Sequence, residues 1–167
     1  MARRQKIKIK ERVLDLEKHP NPLKYYRTVA YFIKRQYNLS QSDLDMLIFI
    51  YDIPLFTRTK FEEFRKMVPW DVKRFDRLKK EGWIIVYRKA GINKHALYRI
   101  SQKGRRMITE MYKRLEGRMP FPEHAYRNKC AESDKSTDVV FYNIMKRINQ
   151  EIRDEALRVV WVKDEDA

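Results

Sequence analysis

A single glycine near the middle of the chain separates two segments whose hydrophobic residues recur at different spacings. In "VKRFDRLKK", apolar side chains recur at Val72, Phe75 and Leu78, which is the spacing of one buried helix face. After Gly82, the segments "WIIVYRK" and "KHALYRI" have the pattern of strands, and "AGIN" between them favours a turn. Glycine tolerates the left-handed backbone conformation that ends many helices. The sequence therefore predicts a charged helix that ends at Gly82 and is followed at once by a β-hairpin.

Helix signals flank this unit on both sides. Pro22 suits the first turn of a helix, and Ser40 or Ser42 can cap the next one. Thr59 and Glu62 have the spacing of a capping box. Together with apolar spacing, these signals predict helices over about residues 22–37, 41–52, 59–67 and 102–117.

Positive charge is concentrated around the same elements. The chain of 167 residues carries 38 Lys and Arg against 23 Asp and Glu, a net charge of +15. Residues 57–114 hold +12 and residues 1–36 hold +8, whereas residues 37–56 and 115–167 are acidic. A concentrated positive field attracts a polyanion such as DNA, RNA or an anionic membrane surface. We expect the partner to be a nucleic acid.

The composition argues against membrane and secreted classes of protein. The sequence has no run of about 18 apolar residues, and "MARRQKIKIKERV" lacks the apolar core of a signal peptide. The lone Cys130 cannot form an internal disulfide, which agrees with a reducing compartment. We expect a soluble, cytoplasmic protein with no membrane partner.

The short third helix and the charged helix form a helix-turn-helix, and the hairpin beside them forms a wing. Through "VKRFDRLKKEGWI", the hairpin and "YRISQKGRRMI", the chain resembles the winged-helix transcription regulators, most closely the MarR-like group, over about residues 23–117. That group has a Leu-x-x-x-Gly-x-Ile signature, which Leu78, Gly82 and Ile84 match here. Its next helix begins with Leu-Thr-x-x-Gly, where this chain has Ser101 and Gly104. One departure is the wing tip, which reads "AGINKHA" where MarR-like wings usually carry an Asp-Arg pair.

The predicted fold class is mainly α with a small β-hairpin: a winged helix-turn-helix domain flanked by N- and C-terminal helices. We divide the chain into a basic N-terminal arm (1–20), the winged-helix domain (21–117), a linker loop (118–135) and a C-terminal helix with an acidic tail (136–167). The last helix carries an apolar stripe that must be buried. Its members are Phe141, Met145, Ile148, Ile152, Ala156 and Val159. Either the stripe packs on its own domain, or it joins two copies in a homodimer, as the resemblance implies.

An α-helix fits the major groove of DNA, where Arg and Lys side chains bind guanine edges. With Phe75 and Leu78 buried, we expect the basic residues of the charged helix to point outward and select the base sequence. The wing is expected to lie near the minor groove or the backbone. The candidate DNA-binding residues are Arg58, Lys60, Trp70, Lys73, Arg74, Arg77, Lys80, Arg88, Lys89, Lys94 and His95. On this hypothesis Arg77→Ala relaxes sequence specificity, whereas Lys94→Ala weakens binding to all sequences about equally.

The sequence favours sequence-specific binding of double-stranded DNA by a dimeric transcription regulator. The alternatives are a winged-helix protein-interaction module in a polymerase or other nucleic-acid assembly, a non-specific architectural binder, and an RNA binder. An enzyme is not expected, because the four glycines are dispersed and no catalytic arrangement of Ser, His, Asp or Cys stands out. We also expect no cofactor and no metal, since His19, His95 and His124 lie far apart in the sequence. No sequence feature identifies a small-molecule effector.

Overall fold

The computed structural model describes the backbone of residues 22–64, 72–92 and 94–165, and the side chains of residues 25–63, 73–92 and 94–154. The helices and strands are α1 (Pro22–Tyr37), α2 (Gln41–Tyr51), α3 (Arg58–Phe64), α4 (Val72–Lys80), β1 (Ile84–Arg88), β2 (Leu97–Ile100), α5 (Gln102–Leu115) and α6 (Ser136–Glu165). The predicted fold class is confirmed: the protein is mainly α, with one antiparallel hairpin in a winged helix-turn-helix that further helices flank. Outside the described residues lie the predicted N-terminal arm, Trp70, the side chains of Ala156 and Val159, and the end of the acidic tail.

Local sequence signals end α4 and begin α5. Gly82 has a φ of +77°, and the amide of Trp83 donates a hydrogen bond of 2.9 Å to the carbonyl of Leu78. These are the features of a Schellman motif, in which glycine avoids the strain that a side chain would bring. The predicted helix end at Gly82 is confirmed. Ser101 caps α5 by accepting a hydrogen bond of 3.2 Å from the amide of Gly104, as the sequence also predicted.

The start of α3 differs from the prediction. Thr59 lies inside the helix rather than at its cap, and Thr57 Oγ1 instead accepts a hydrogen bond of 3.1 Å from the amide of Lys60. Glu62, the other half of the predicted capping box, lies 3.6 Å from the guanidinium of Arg58. The prediction was wrong by two residues, because the capping-box spacing pointed to Thr59, whereas Thr57 makes the cap without an acidic residue three positions on.

The hairpin has a third partner, the segment that precedes α3. Phe56 and Tyr98 exchange two backbone hydrogen bonds of 3.0 and 2.8 Å, so the connection between α2 and α3 lies along β2. The Phe56 side chain is buried, and its ring centroid lies 6.2 Å from that of Tyr98. This contact fixes the helix-turn-helix to the base of the wing.

The core contacts between these elements involve aromatic rings and one glycine. The ring of Phe75 on α4 lies edge-on to Phe61 of α3 at 4.8 Å and to Tyr98 of β2 at 5.0 Å. Gly104 lets α5 approach the hairpin closely, since a Cβ at this position would lie 2.7 Å from Cγ1 of the buried Ile100. The helix-turn-helix, the wing and α5 therefore share one core.

The described side chains of the α6 apolar stripe pack on their own chain. Met145 and Ile148 are 1% and 4% exposed, and Phe141 stacks on Tyr31 of α1 with ring centroids 3.9 Å apart. Ile152 is partly buried against the same core. Phe141 and Ile152, which are only partly buried, stay predicted dimer contacts. For Met145 and Ile148 the prediction of a dimer contact is wrong, since side chains buried within one copy are not available to a second. The alternative, intramolecular packing, is what the structure shows for them.

A buried carboxylate joins α6 to α1. Asp138 accepts hydrogen bonds from Tyr31 and Ser133, each at 2.5 Å, and from the guanidinium of Arg35 at 2.9 and 2.6 Å. Burial by itself raises the pKa of this carboxyl group, but the three donors and the positive charge of Arg35 outweigh burial and lower the pKa. Cys130 lies nearby, with Sγ 3.9 Å from the carboxylate. Burial, together with the charge of Asp138, raises the pKa of Cys130 to about 11.

Candidate nucleic-acid interface

The two candidate DNA-binding residues of α3, Arg58 and Lys60, have acidic neighbours. The guanidinium of Arg58 lies 5.5 Å from the ring centroid of Phe75 and 3.4 Å from the carboxylate of Asp76, so it connects α3 to α4. Lys60 forms an ion pair with Glu63 at 2.9 Å. Both cations are about half exposed, at 45% and 55%. Their positive charges are therefore partly neutralised within the helix-turn-helix.

Two of the predicted base-reading arginines are held by a buried carboxylate of α2. Arg77 donates a hydrogen bond to Asp43, and the guanidinium of Arg74 lies 3.5 Å from the same carboxylate oxygen and 3.3 Å from Ser40 Oγ. The Asp43 side chain is 5% exposed and that of Arg74 is 20% exposed. The prediction that the Arg74 side chain points outward was wrong, because this side chain packs against the start of α2. Arg77 is 49% exposed and contacts both Asp43 and solvent.

The outward face of α4 is a row of four side chains. Lys73, Asp76, Arg77 and Lys80 are all exposed, with the spacing that places residues on one side of a helix. Asp76 lies in the middle of this row and is paired with Arg58. The basic groups in this row are therefore those of Lys73, Arg77 and Lys80, and Lys79 is exposed beside it.

The wing presents its predicted residues to solvent. Arg88, Lys89, Lys94 and His95 are all exposed. Gly91 and Lys94 exchange two backbone hydrogen bonds of 3.0 Å, which closes the tip around a two-residue turn. The tip is thus a continuation of the hairpin rather than a loose loop.

The wing and the start of α5 form one basic segment, residues 82–109, with seven Lys and Arg and no Asp or Glu. These cations are Arg88, Lys89, Lys94, Arg99, Lys103, Arg105 and Arg106. Six are exposed and one is partly buried. Within the described ranges none of them pairs with a carboxylate; Lys103 lies 3.8 Å from the ring centroid of Trp83, and Arg99 lies 5.5 Å from that of Tyr87. The basic segment is therefore a stretch of positive charge without an ion-pair partner in the described ranges.

Six residues of this surface were missed by sequence reasoning. Arg99, Lys103, Arg105 and Arg106 could have been found, because residues 82–109 contain no acidic residue and this is visible in the sequence. Asp43 could not, since its contact with Arg77 joins residues 34 positions apart. Ile92 was predicted only as a turn residue, although its side chain at the wing tip is 95% exposed.

The described parts of the chain hold neither a metal-binding cluster nor a membrane-spanning helix. In these ranges no three His, Cys, Asp or Glu side chains are grouped so that they could bind a metal ion. No described helix combines the length and the apolar character needed to cross a bilayer.

Comparison with known proteins gives little further information. No family model matches the sequence, and no curated protein matches it. A solved structure described as "Structure of Disulfide formed AbfR" aligns with 83% of this chain and 86% of its own, at 12% identity and a TM-score of 0.41. An alignment at that TM-score does not establish a common fold. The residues of the candidate interface are therefore the best indication of function.

Proposed function

We propose that this chain binds double-stranded DNA through its winged helix-turn-helix and acts as a sequence-reading transcription regulator. The observation that carries the proposal is the basic segment 82–109, which folds as the wing and the first turns of α5. A surface with seven cations and no carboxylate attracts the phosphates of a polyanion. Helices and hairpins of this size are the elements that enter the grooves of duplex DNA.

The two parts of the interface have different tasks in this proposal. Lys89 and Lys94 of the wing bind phosphates and supply affinity for any sequence. Lys73, Arg77 and Lys80 lie on the outward face of α4 and contact base edges in the major groove, where a bidentate contact discriminates by about 1–3 kcal/mol. Base contact by Arg77 competes with its hydrogen bond to Asp43.

The number of copies on DNA is a separate question from the binding surface. Met145 and Ile148 are core residues and do not supply a dimer contact. Phe141, Ile152, Ala156 and Val159 remain predicted dimer contacts. A dimer requires a two-fold-symmetric site with half-sites about one DNA turn apart, whereas a single copy reads an asymmetric site.

The test is a salt series of binding to random duplexes and to genomic DNA fragments, followed by selection of the tightest binders. We expect log Kd to rise steeply with log salt concentration, because bound cations displace counterions from the phosphates. We also expect selection to enrich one sequence motif. A steep slope without a motif indicates an architectural binder. No binding even at low salt contradicts the proposal and favours the protein-interaction alternative.

A further inference from the structure

The wing tip carries an apolar side chain where neither the turn nor the core requires one. Ile92 is 95% exposed, more than any other large hydrophobic residue in the described ranges. Turn positions favour Gly, Asn, Asp, Pro and Ser, which adopt the required backbone conformations or bond to the backbone, and isoleucine does neither. Its surface is therefore available to a partner.

The hairpin holds this side chain well beyond the body of the protein. Tyr87 is an extra, bulged residue in β1, and beyond it Arg88 pairs with Leu97 and Gly91 with Lys94. Two residues, Lys89 and Ala90, therefore lie between the last rung of the strands and the rung that closes the tip. The three steps from Arg88 to Gly91 span about 10 Å at ~3.3 Å per residue. Ile92 follows directly and ends the projection. A bulge increases the twist of a hairpin and so alters the direction in which its tip points.

The surroundings of Ile92 favour a polyanion as the partner. Lys89, Lys94 and His95 lie within three positions of it and are exposed, and the nearest acidic residues along the chain are Glu81 and Glu110. An apolar group intended for a protein groove is not usually enclosed by charges of one sign. In duplex DNA, by contrast, the phosphates flank a narrow minor groove whose floor and walls are bases and sugars.

We propose that Ile92 is an apolar wedge that enters the minor groove of DNA and partly unstacks a base step, while Lys89 and Lys94 bind the phosphates on either side. Proteins that read the minor groove commonly insert an Ile, Leu, Met, Phe or Pro side chain in this way and kink the duplex. The wedge places its contact at flexible pyrimidine–purine steps, which deform at the lowest energy. This inference rests on the proposed DNA binding but adds a residue and a mechanism to it.

The experiment uses the full chain and a duplex of about 30 base pairs with central TA steps, labelled at both ends for energy transfer and carrying 2-aminopurine at the centre. Ile92→Ala removes the wedge, and Ile92→Leu keeps it. Val140→Ala is the matched control, since it truncates an aliphatic side chain that is 55% exposed on α6. Both positions are solvent-facing, so the three variants are expected to fold.

We expect the wild type, Ile92→Leu and Val140→Ala to bend the duplex by at least about 20° and to raise 2-aminopurine fluorescence. We expect Ile92→Ala to lose both signals and to bind roughly tenfold more weakly, with an unchanged salt slope because no charge is removed. If Ile92→Ala binds and bends the duplex like the wild type, the proposal that Ile92 is a wedge is wrong, whereas the proposed DNA binding is unaffected. If the wild type does not bind the duplex, the proposed function fails as well.

Discussion

Asp138 is the residue on which the contact between α1 and α6 depends most directly. Its carboxylate is fully buried and accepts hydrogen bonds from one arginine, one tyrosine and one serine. A buried charge that loses its partners costs several kcal/mol, and donors that lose a buried acceptor are left unsatisfied. The residue is thus structural, and it is remote from the wing in the sequence.

For Asp138→Asn we expect the free energy of unfolding at pH 7 to fall by about 3 kcal/mol. The folded-state pKa of Asp138 lies below its ordinary value, so its contribution is present above pH ~4 and is lost as pH falls through the lowered pKa. Urea unfolding at pH 7 and at pH 3 measures this. Asp134→Asn, an exposed neighbour, is the control. An equal effect of Asp138→Asn at both pH values contradicts the account.

Cys130 is expected to be unreactive in the folded protein. Its pKa of about 11 means that the thiolate, which is the nucleophile, is scarce at pH 8, and its side chain is 1% exposed. Reaction with a chromogenic disulfide reagent should therefore be slow in buffer and fast in urea. Rapid, stoichiometric reaction of the folded protein would instead indicate an accessible, activated thiol and a redox role.

At the scale of elements, α4 is held in place by long-range pairs that its own sequence does not reveal. Asp43 on α2 contacts both Arg74 and Arg77, and Asp76 contacts Arg58 on α3. The orientation of the proposed recognition helix therefore depends on residues of the two preceding helices.

A double-mutant cycle of Asp43→Ala and Arg77→Ala measures the strength of this link. Asp43 is buried but Arg77 is half exposed and screened by solvent, so we expect a coupling energy of about 1 kcal/mol in urea unfolding. Asp43 also caps α2, so the loss of stability in Asp43→Ala alone overstates the strength of the Asp43–Arg77 interaction. The cycle removes the contribution of the cap. The exposed pair Lys60 and Glu63 is the control, with a coupling of about 0.3 kcal/mol expected. Equal couplings for both pairs would show that Asp43 does not hold α4.

Truncation within α6 distinguishes core packing from a dimer contact. For Met145→Ala we expect the free energy of unfolding to fall by about 3 kcal/mol with no change in mass by sedimentation, since the side chain is buried in its own chain. Val140→Ala on the same helix should change the free energy of unfolding by less than about 0.5 kcal/mol. A Met145 variant that keeps its stability but halves its mass would restore the dimer interpretation.

The sequence predicts the elements better than it predicts their contacts. Pro22, Gly82 and Ser101 act on their immediate neighbours, so the helix boundaries that they set could be read directly. Whether α6 packs inward or on a second copy could not, because an apolar stripe records that a face is buried but not what covers it. The same limit applies to Arg74, whose partner lies on another helix.

Over the whole protein, the net charge of +15 is neutralised by ion pairs in some places and not in others, and the proposed DNA binding depends on this difference. Ion pairs occupy Arg58, Lys60 and Arg77, whereas the basic segment 82–109 has no carboxylate of its own. A charge distribution of this kind gives binding whose strength depends on salt and on a few identifiable cations.

We propose that the wing supplies the phosphate contacts, and this can be measured as the slope of log Kd for DNA against log salt concentration. We compare the wild type with Lys89→Gln/Lys94→Gln in the wing and with Lys113→Gln/Lys135→Gln, two exposed lysines outside it. Both double variants lose the same charge, so a general effect of net charge affects them equally. The account predicts that the slope of log Kd against log salt falls by about 2 in the wing variant alone. Equal changes in both variants, or no salt dependence in the wild type, would contradict it.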